Sequence, residues 1–189
     1  MKLVHLLPVG KVENALLHEL QTTIPKCLRV SCEILPAVLD PGPAYHPERL
    51  QYHSSEILQR MQSCVLPPCW RLLGVTGEDL YIPILKYVFG EAQVGGPCAV
   101  VSAHRLRQEF YGLPPDQALL RQRLLKESIH ELGHALSLHH CGDYRCAMAS
   151  AHAVEWIDLR EAVLCENCQA QARFNSEELQ RTPLSTASE

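Results

Sequence analysis

The sequence has no uninterrupted apolar run of the length that a membrane span needs, which is about 20 residues. We therefore expect no membrane partner. The N-terminal apolar stretch is broken by Pro8, Gly10 and Lys11 and lacks a small-residue cleavage site, so we expect no secretory signal peptide. A first β-strand over residues 2–9 is the better interpretation of this segment.

The sequence also lacks an excess of positive charge. Its 189 residues carry a formal net charge of −4 at pH 7, and no basic segment with interleaved aromatic residues is present. Proteins that bind nucleic acids neutralise phosphates with clustered lysines and arginines, so this balance argues against a nucleic acid as partner. A zinc-ribbon-like nucleic-acid module is disfavoured for the same reason.

No internal repeat, low-complexity block or interdomain linker divides the sequence. A chain of 189 residues with 47% hydrophobic residues has the size and composition of one globular domain. Apolar spacing predicts strand, helix, strand, helix, several short strands, a long helix ending near residue 138, and a short helix over residues 158–168. We therefore expect a single α/β domain over residues 1–189, with residues 174–189 forming a partly ordered tail.

The cysteines give the first indication of function. There are nine, an odd number that argues against a complete disulfide framework. Without a signal peptide we expect a reducing, cytoplasmic location, where thiolates more often bind metal or are buried. Five cysteines are scattered and have no assigned role: Cys27, Cys32, Cys64, Cys69 and Cys98. The other four form a C-x4-C…C-x2-C array: Cys141, Cys146, Cys165 and Cys168.

This array has the spacing of a metal site. Four thiolates complete the tetrahedral shell of a zinc ion, so a zinc bound here is predicted to be structural. It would attach the C-terminal segment to the turn that follows the long helix. The alternative is that the four cysteines are free and buried, but their paired spacing favours the metal.

A second group of possible ligands lies directly upstream, in the segment H-E-L-G-H-A-L-S-L-H-H. His130 and His134 are four residues apart on the predicted long helix, so their rings lie on one face and can bind one ion. Glu131 lies beside the first of them, where a carboxylate can act as general base on a zinc-activated water. We therefore predict a catalytic zinc site with Glu131 as the catalytic residue.

A catalytic zinc needs a third protein ligand and an open position. His140 lies at a suitable offset if the chain folds back over the ion, and the neighbouring His139 is a rival. Ser137 occupies the turn after the helix, where glycine adopts positive φ freely and another residue costs about 1 kcal/mol. We expect His140 to be the third ligand. We also expect Ser137 to have a strained backbone, which affects where the following turn places His140.

The complete pattern resembles that of the archaemetzincins, a metzincin-type family of zinc peptidases. The family pattern is H-E-x-x-H-x-x-G-x-x-H-C, four residues, C-x-M, a longer gap and C-x-x-C. This chain has H-E-L-G-H-A-L-S-L-H-H-C, then C-A-M and C-E-N-C, and departs from the family glycine at Ser137. The resemblance covers about residues 70–168, and residues 72–96 look like the core strands of the family.

The resemblance implies a single compact metzincin-like α/β domain, with a twisted mixed β-sheet, packed helices, a long active-site helix and a zinc-bound cysteine-rich C-terminal segment. It also implies two zinc ions, one catalytic on His130, His134 and His140 and one structural on the four cysteines. Met148 matches the Met-turn methionine beneath the catalytic metal. A peptide or protein substrate would pair with an edge strand, for which residues 97–106 are the candidate.

Two functions therefore stay open at this point. The first is a zinc metallopeptidase that hydrolyses peptide bonds with Glu131 as general base. The second is a non-catalytic zinc-binding protein on the same scaffold, with a site weakened by Ser137.

Overall fold

The computed structural model describes residues 2–181, with side chains through residue 173. Its centre is a five-stranded sheet with the order β2-β1-β5-β8-β7. Four strands are parallel: β1 (Leu3–Val9), β2 (Ser31–Ile34), β5 (Arg71–Thr76) and β8 (Cys98–Ser102). The fifth strand, β7 (Gly90–Ala92), runs antiparallel to β8 at one edge.

Helices cover both faces of this sheet. The long strands β1, β5 and β8 are almost fully buried, as expected for parallel strands covered on two sides. One hydrophobic cluster joins the sheet to α1 (Asn14–Leu28) and α3 (Gln117–Ala135), and a second joins it to α2 (Ser54–Met61). The predicted mixed α/β domain is confirmed.

The remaining elements are smaller. A three-stranded sheet with the order β3-β4-β6 consists of Tyr45–His46, Gln51–His53 and Leu80–Tyr81. Helices α4 (Val154–Leu159) and α5 (Glu166–Arg181) follow the histidine segment. None of the helices within residues 2–181 combines the length and the apolarity needed to span a lipid bilayer.

The C-terminal helices differ from the sequence prediction. The helix predicted over residues 158–168 is wrong, because α4 ends at Leu159 and α5 begins only at Glu166. The intervening backbone pairs with a loop instead: Glu161 N–H donates to the Arg145 carbonyl, and Ala147 N–H donates to the Val163 carbonyl. Within the predicted tail, residues 174–181 continue α5, and residues 182–189 lie outside the described residues.

The candidate edge strand is also wrong. Residues 98–102 form β8, which lies between β5 and β7 and has both of its edges paired. The edge strand next to the histidines is β7, whose outer side is unpaired within the described sheet. The polar residues after β8 are in a short 3-10 helix, where Arg105 binds both carboxylate oxygens of Asp79 at 2.7 Å.

Candidate metal centre

Helix α3 presents the histidines at its C-terminal end. Asp116 caps the helix, since its side chain accepts a hydrogen bond of 2.9 Å from the Leu119 N–H. The last two turns contain His130 and His134, four residues apart on the face that looks into the cleft. Glu131 and His130 are both buried, at 4% and 6% relative exposure. A long, capped and packed helix therefore holds three of the predicted functional residues.

The turn that ends α3 determines where the chain goes next. Ser137 has φ 62°, which confirms the positive φ predicted at this position. Its N–H donates to the His134 carbonyl at 2.9 Å, and the Leu138 N–H donates to the Gly133 carbonyl at 3.0 Å. These two bonds form a Schellman motif, in which glycine usually occupies the position of Ser137. The turn reverses the chain and brings His140 back toward the helix.

We expect Ser137→Gly to raise the free energy of unfolding by about 0.5–1 kcal/mol, because glycine adopts φ near 60° without a Cβ penalty. For a domain of this size that corresponds to about 1–4 °C in Tm, measured by thermal unfolding. Ser137→Ala is the matched control, since alanine keeps the penalty and removes the hydroxyl. An equal gain in stability from the alanine variant would contradict the strain explanation.

Three imidazoles converge in front of the helix. The ring centroids of His130, His134 and His140 are separated by 4.6, 5.0 and 5.3 Å, and one ligand atom from each lies within 4.8 Å of the others. The Nε2 atoms of His130 and His134 are 3.1 Å apart. A tetrahedral zinc with Zn–N bonds of about 2.0–2.1 Å needs ligand separations of about 3.3 Å. The donor set therefore fits a zinc ion.

Backbone carbonyls orient two of these rings. Nδ1 of His130 lies 2.8 Å from the Ala147 carbonyl oxygen, and Nδ1 of His134 lies 2.8 Å from that of Leu138. A carbonyl only accepts, so each ring can carry its proton on Nδ1 and leave Nε2 free for a metal. Burial lowers the pKa of both imidazoles, and the positive charge of Arg160 adds to this for His130. Both shifts favour the neutral imidazole, which is the form that binds metal.

Glu131 lies against the edge strand. A Cβ atom on Gly90 would come within 2.6 Å of Glu131 Cγ, so the backbone of β7 can approach the carboxylate only because residue 90 is glycine. Burial raises the pKa of the Glu131 carboxyl well above its usual range; the neighbouring Glu127 carboxylate adds to this shift, and Arg160 opposes it. A carboxyl in such an environment is a strong proton acceptor once ionised.

Met148 packs against helix α3 at Gly133, the residue before His134. It is fully buried, and a Cβ atom on Gly133 would come within 2.2 Å of its sulfur. The glycine in the H-E-L-G-H segment is therefore needed for the loop containing Met148 to pack against α3. The close approach of Gly133 and Met148 therefore sets how tightly this loop packs on α3.

The four cysteines of the array converge at a second site. Their sulfur atoms lie within 4.8 Å of one another, and those of Cys141 and Cys165 are 3.8 Å apart. Tetrahedral zinc with Zn–S bonds of about 2.3 Å places sulfurs about 3.8 Å apart, so this donor set also fits. Backbone N–H groups of Met148 and Cys165 donate to the Cys146 sulfur at 3.4 and 3.3 Å, an arrangement that stabilises thiolate.

The two groups of ligands share one loop. Cys141 follows His140 directly, and its N–H donates to the Met148 carbonyl at 2.9 Å. Cys146 precedes Ala147, whose carbonyl oxygen lies beside His130. A metal on the cysteines would therefore hold the loop that carries the third histidine and the carbonyl that orients the first.

A cleft of about 480 Å³ opens in front of the histidines. One wall is the edge strand β7 with the preceding residues 85–89, and the opposite wall is formed by residues 150–152. The hydroxyl of Tyr87 donates to the His152 carbonyl at 3.0 Å and joins the two walls. The rim is apolar, with Leu85 and Val94 exposed beside the cleft. The outer edge of β7 along this wall is unpaired within the described sheet.

The structure separates the two rival ligands. Both side chains are exposed, but only His140 belongs to the converging cluster. Sequence reasoning missed two buried charged residues behind the site, Glu127 and Arg160. Glu127 precedes Glu131 by one helical turn, which is only a weak indication of a role in the site, and nothing in the local sequence marks Arg160.

All nine cysteines are free of disulfide bonds, and the five outside the array form no metal-like cluster within the described residues.

Comparisons with known proteins place this geometry in context. The model of peptidase family M54 matches residues 49–173. The archaemetzincin of Methanocaldococcus jannaschii is 41% identical over 162 residues, which is 85% of this chain and 87% of that protein.

Two solved structures share the fold. The crystal structure of archaemetzincin from Archaeoglobus fulgidus, complexed with malonate, superposes with a TM-score of 0.77 at 34% identity and covers 89% of this chain and 99% of that chain. A zinc-dependent peptidase from Methanocorpusculum labreanum has a TM-score of 0.80 at 28% identity, with the same coverage of 89% and 99%.

Proposed function

Because the chain belongs to peptidase family M54 and is a zinc metallopeptidase of the archaemetzincin type, we propose that it hydrolyses peptide bonds in the cleft, with Glu131 as general base. The observation that carries this proposal is the convergence of His130, His134 and His140 beside the buried Glu131 carboxylate. Three neutral imidazoles leave an ion its full positive charge and a position for water or substrate.

Each residue of the site has a defined part in the proposed reaction. A zinc ion held by the three histidines would supply Lewis acidity toward the substrate carbonyl and toward water. The Glu131 carboxylate takes the proton of the attacking water and passes it to the leaving amine. The site requires no second acid, since one carboxylate serves both steps.

The cleft supports a peptide as the substrate. A chain that extends along β7 would form backbone hydrogen bonds with the unpaired edge of this strand and place one carbonyl in front of the histidines. The apolar rim with Leu85 and Val94 favours apolar side chains next to the bond that is cleaved. This proposal replaces β8 with β7 as the strand that binds substrate.

We further propose that the protein binds two zinc ions, the second held by Cys141, Cys146, Cys165 and Cys168. Four thiolates close the coordination shell, so this ion would take no part in catalysis. Its role is to hold the loop from His140 to Met148 against the C-terminal segment.

Incubation of the zinc-loaded protein with a peptide library tests the proposed function. We expect cleavage products with apolar residues beside the cleaved bond, detected by mass spectrometry, and loss of cleavage after chelation that zinc restores. The non-catalytic alternative predicts no cleavage by the wild type or by Ser137→Gly. A large gain of activity in Ser137→Gly alone would instead indicate a site weakened by the serine.

A further inference from the structure

A buried ion pair lies directly behind the histidines. The Arg160 side chain is 1% exposed and donates from Nη2 to the Glu127 carboxylate, whose side chain is 6% exposed, at 2.5 Å. Glu127 belongs to α3, and Arg160 is the first residue after α4. Removing two charges from water is costly, and such a pair is weak grounds for stability by itself. Its contacts with the loop and with His130 indicate a role in the site instead.

The guanidinium binds the loop below the cleft. Arg160 Nη1 donates to the carbonyl oxygens of Ala149 at 3.0 Å and of Ala147 at 3.2 Å. The same nitrogen lies 2.8 Å from Nδ1 of His130, which in turn lies 2.8 Å from the Ala147 carbonyl. Nη1 can only donate, so in the metal-binding tautomer of His130 both groups direct their hydrogens at the Ala147 oxygen, which has two lone pairs.

We propose that Glu127 and Arg160 are positioning residues for the histidine metal site. Glu127 fixes the guanidinium to α3, and the guanidinium fixes the backbone of residues 147–149. The Ala147 carbonyl of that backbone sets the orientation of His130, and its middle residue is the buried Met148. This inference depends on the proposed function, because it assumes that the three histidines bind a metal.

A second ion pair shows that Arg160 is not needed merely to attach α4 to α3. Arg123, one helical turn before Glu127, binds both carboxylate oxygens of Asp158 at 2.7 Å. The remaining Arg123 hydrogen bond goes to the Leu106 carbonyl, away from the cleft. The two pairs connect the same two segments of the chain, and only the pair of Arg160 reaches the loop and His130. They therefore form a matched comparison.

The double variant Glu127→Met with Arg160→Met tests the proposal. Both charges are replaced together by apolar side chains, because removing only one would leave an unpaired buried charge. We expect the affinity of the histidine site for zinc to fall by about 10–100-fold, the usual effect of losing a group that orients a metal ligand. The affinity is measured by chelator competition, and that of the cysteine site should not change.

Cobalt substitution reports the two sites separately. Only the cysteine site gives a sulfur-to-cobalt charge-transfer band, whereas both sites contribute ligand-field bands, so a change confined to the ligand-field region identifies the histidine site. In the double variant we expect altered ligand-field bands with an unchanged charge-transfer band. The control variant, Arg123→Met with Asp158→Met, should leave both sets of bands and the zinc affinity of the histidine site as in the wild type.

Arg160→Lys provides the second measurement, because it keeps a buried positive charge opposite Glu127 but not the planar fork that reaches two carbonyls. We expect the histidine site of this variant to lose less zinc affinity than that of the double variant. Wild-type affinity in both the double variant and Arg160→Lys would overturn the proposal. So would a rise in affinity, since Arg160 would then favour the tautomer that cannot bind metal. Failure of the wild-type histidine site to bind zinc would instead reject the proposed function.

Discussion

Glu131→Gln is expected to lower kcat for peptide cleavage by about 10²–10⁴-fold while both metals stay bound. Glutamine has nearly the size of glutamate, so it preserves the close packing against Gly90, but it cannot accept the proton of the attacking water. The loss corresponds to about 3–5 kcal/mol of transition-state stabilisation. Steady-state kinetics on a cleaved library peptide, together with the metal content of the purified variant, measures the effect.

The matched control is Glu155→Gln, which makes the same change at an exposed position in the first turn of α4. It should hydrolyse the peptide at the wild-type rate. Glu131→Ala should be as inactive as Glu131→Gln if the carboxylate acts as base. Turnover of either Glu131 variant within a few-fold of the wild type would remove this residue from the proposed role.

Cys168→Ser is expected to lower the free energy of unfolding by roughly 4 kcal/mol or more, since loss of a structural metal is among the largest effects of a single substitution. Cys168 lies in the last helix, α5, and is buried in the hydrophobic core. Without the metal, the C-terminal segment that Cys168 anchors would lose its attachment. For a domain of this size the Tm should fall by about 10 °C. Thermal unfolding and zinc stoichiometry measure the two consequences.

The effect should also reach the other site. Because Cys141 adjoins His140 and Cys146 adjoins Ala147, loss of the cysteine-bound metal frees both ends of the loop that presents the third histidine. We expect the histidine site to bind zinc about 10–100-fold more weakly in Cys141→Ser and in Cys168→Ser.

Cys27→Ser is the control, since Cys27 is half-buried in α1 and lies outside the array. It should retain two zinc ions and nearly the wild-type Tm. Full affinity at the histidine site in Cys141→Ser would show that the strained turn at Ser137 needs no anchored loop to present His140.

Several features of this protein followed from the sequence because they depend on short-range geometry. The four-residue separation of His130 and His134 puts both rings on one face of any helix that contains them. The need for positive φ at Ser137 follows from the way a helix ends, and the structure has φ 62° there. The paired spacing of the cysteines likewise predicts a cluster without knowledge of the fold.

Other features depended on contacts between distant segments, which no local pattern contains. The apolarity of residues 97–106 predicts a strand but not its neighbours in the sheet. The tertiary structure places β8 inside the sheet and β7 at its edge. The partnership of Glu127 with Arg160, 33 residues apart, exists only because α3 and the segment after α4 pack together.

The sequence by itself therefore determined which residues can bind metal and on which element the main ligands lie. The tertiary structure alone decided which strand borders the cleft, how closely its backbone approaches Glu131 at Gly90, and which buried charges surround the ligands. The physical reason is the distance along the chain between the residues that interact. Ligand spacing and helix termination are set by a few consecutive residues, whereas strand order and buried ion pairs are set by packing across the whole core.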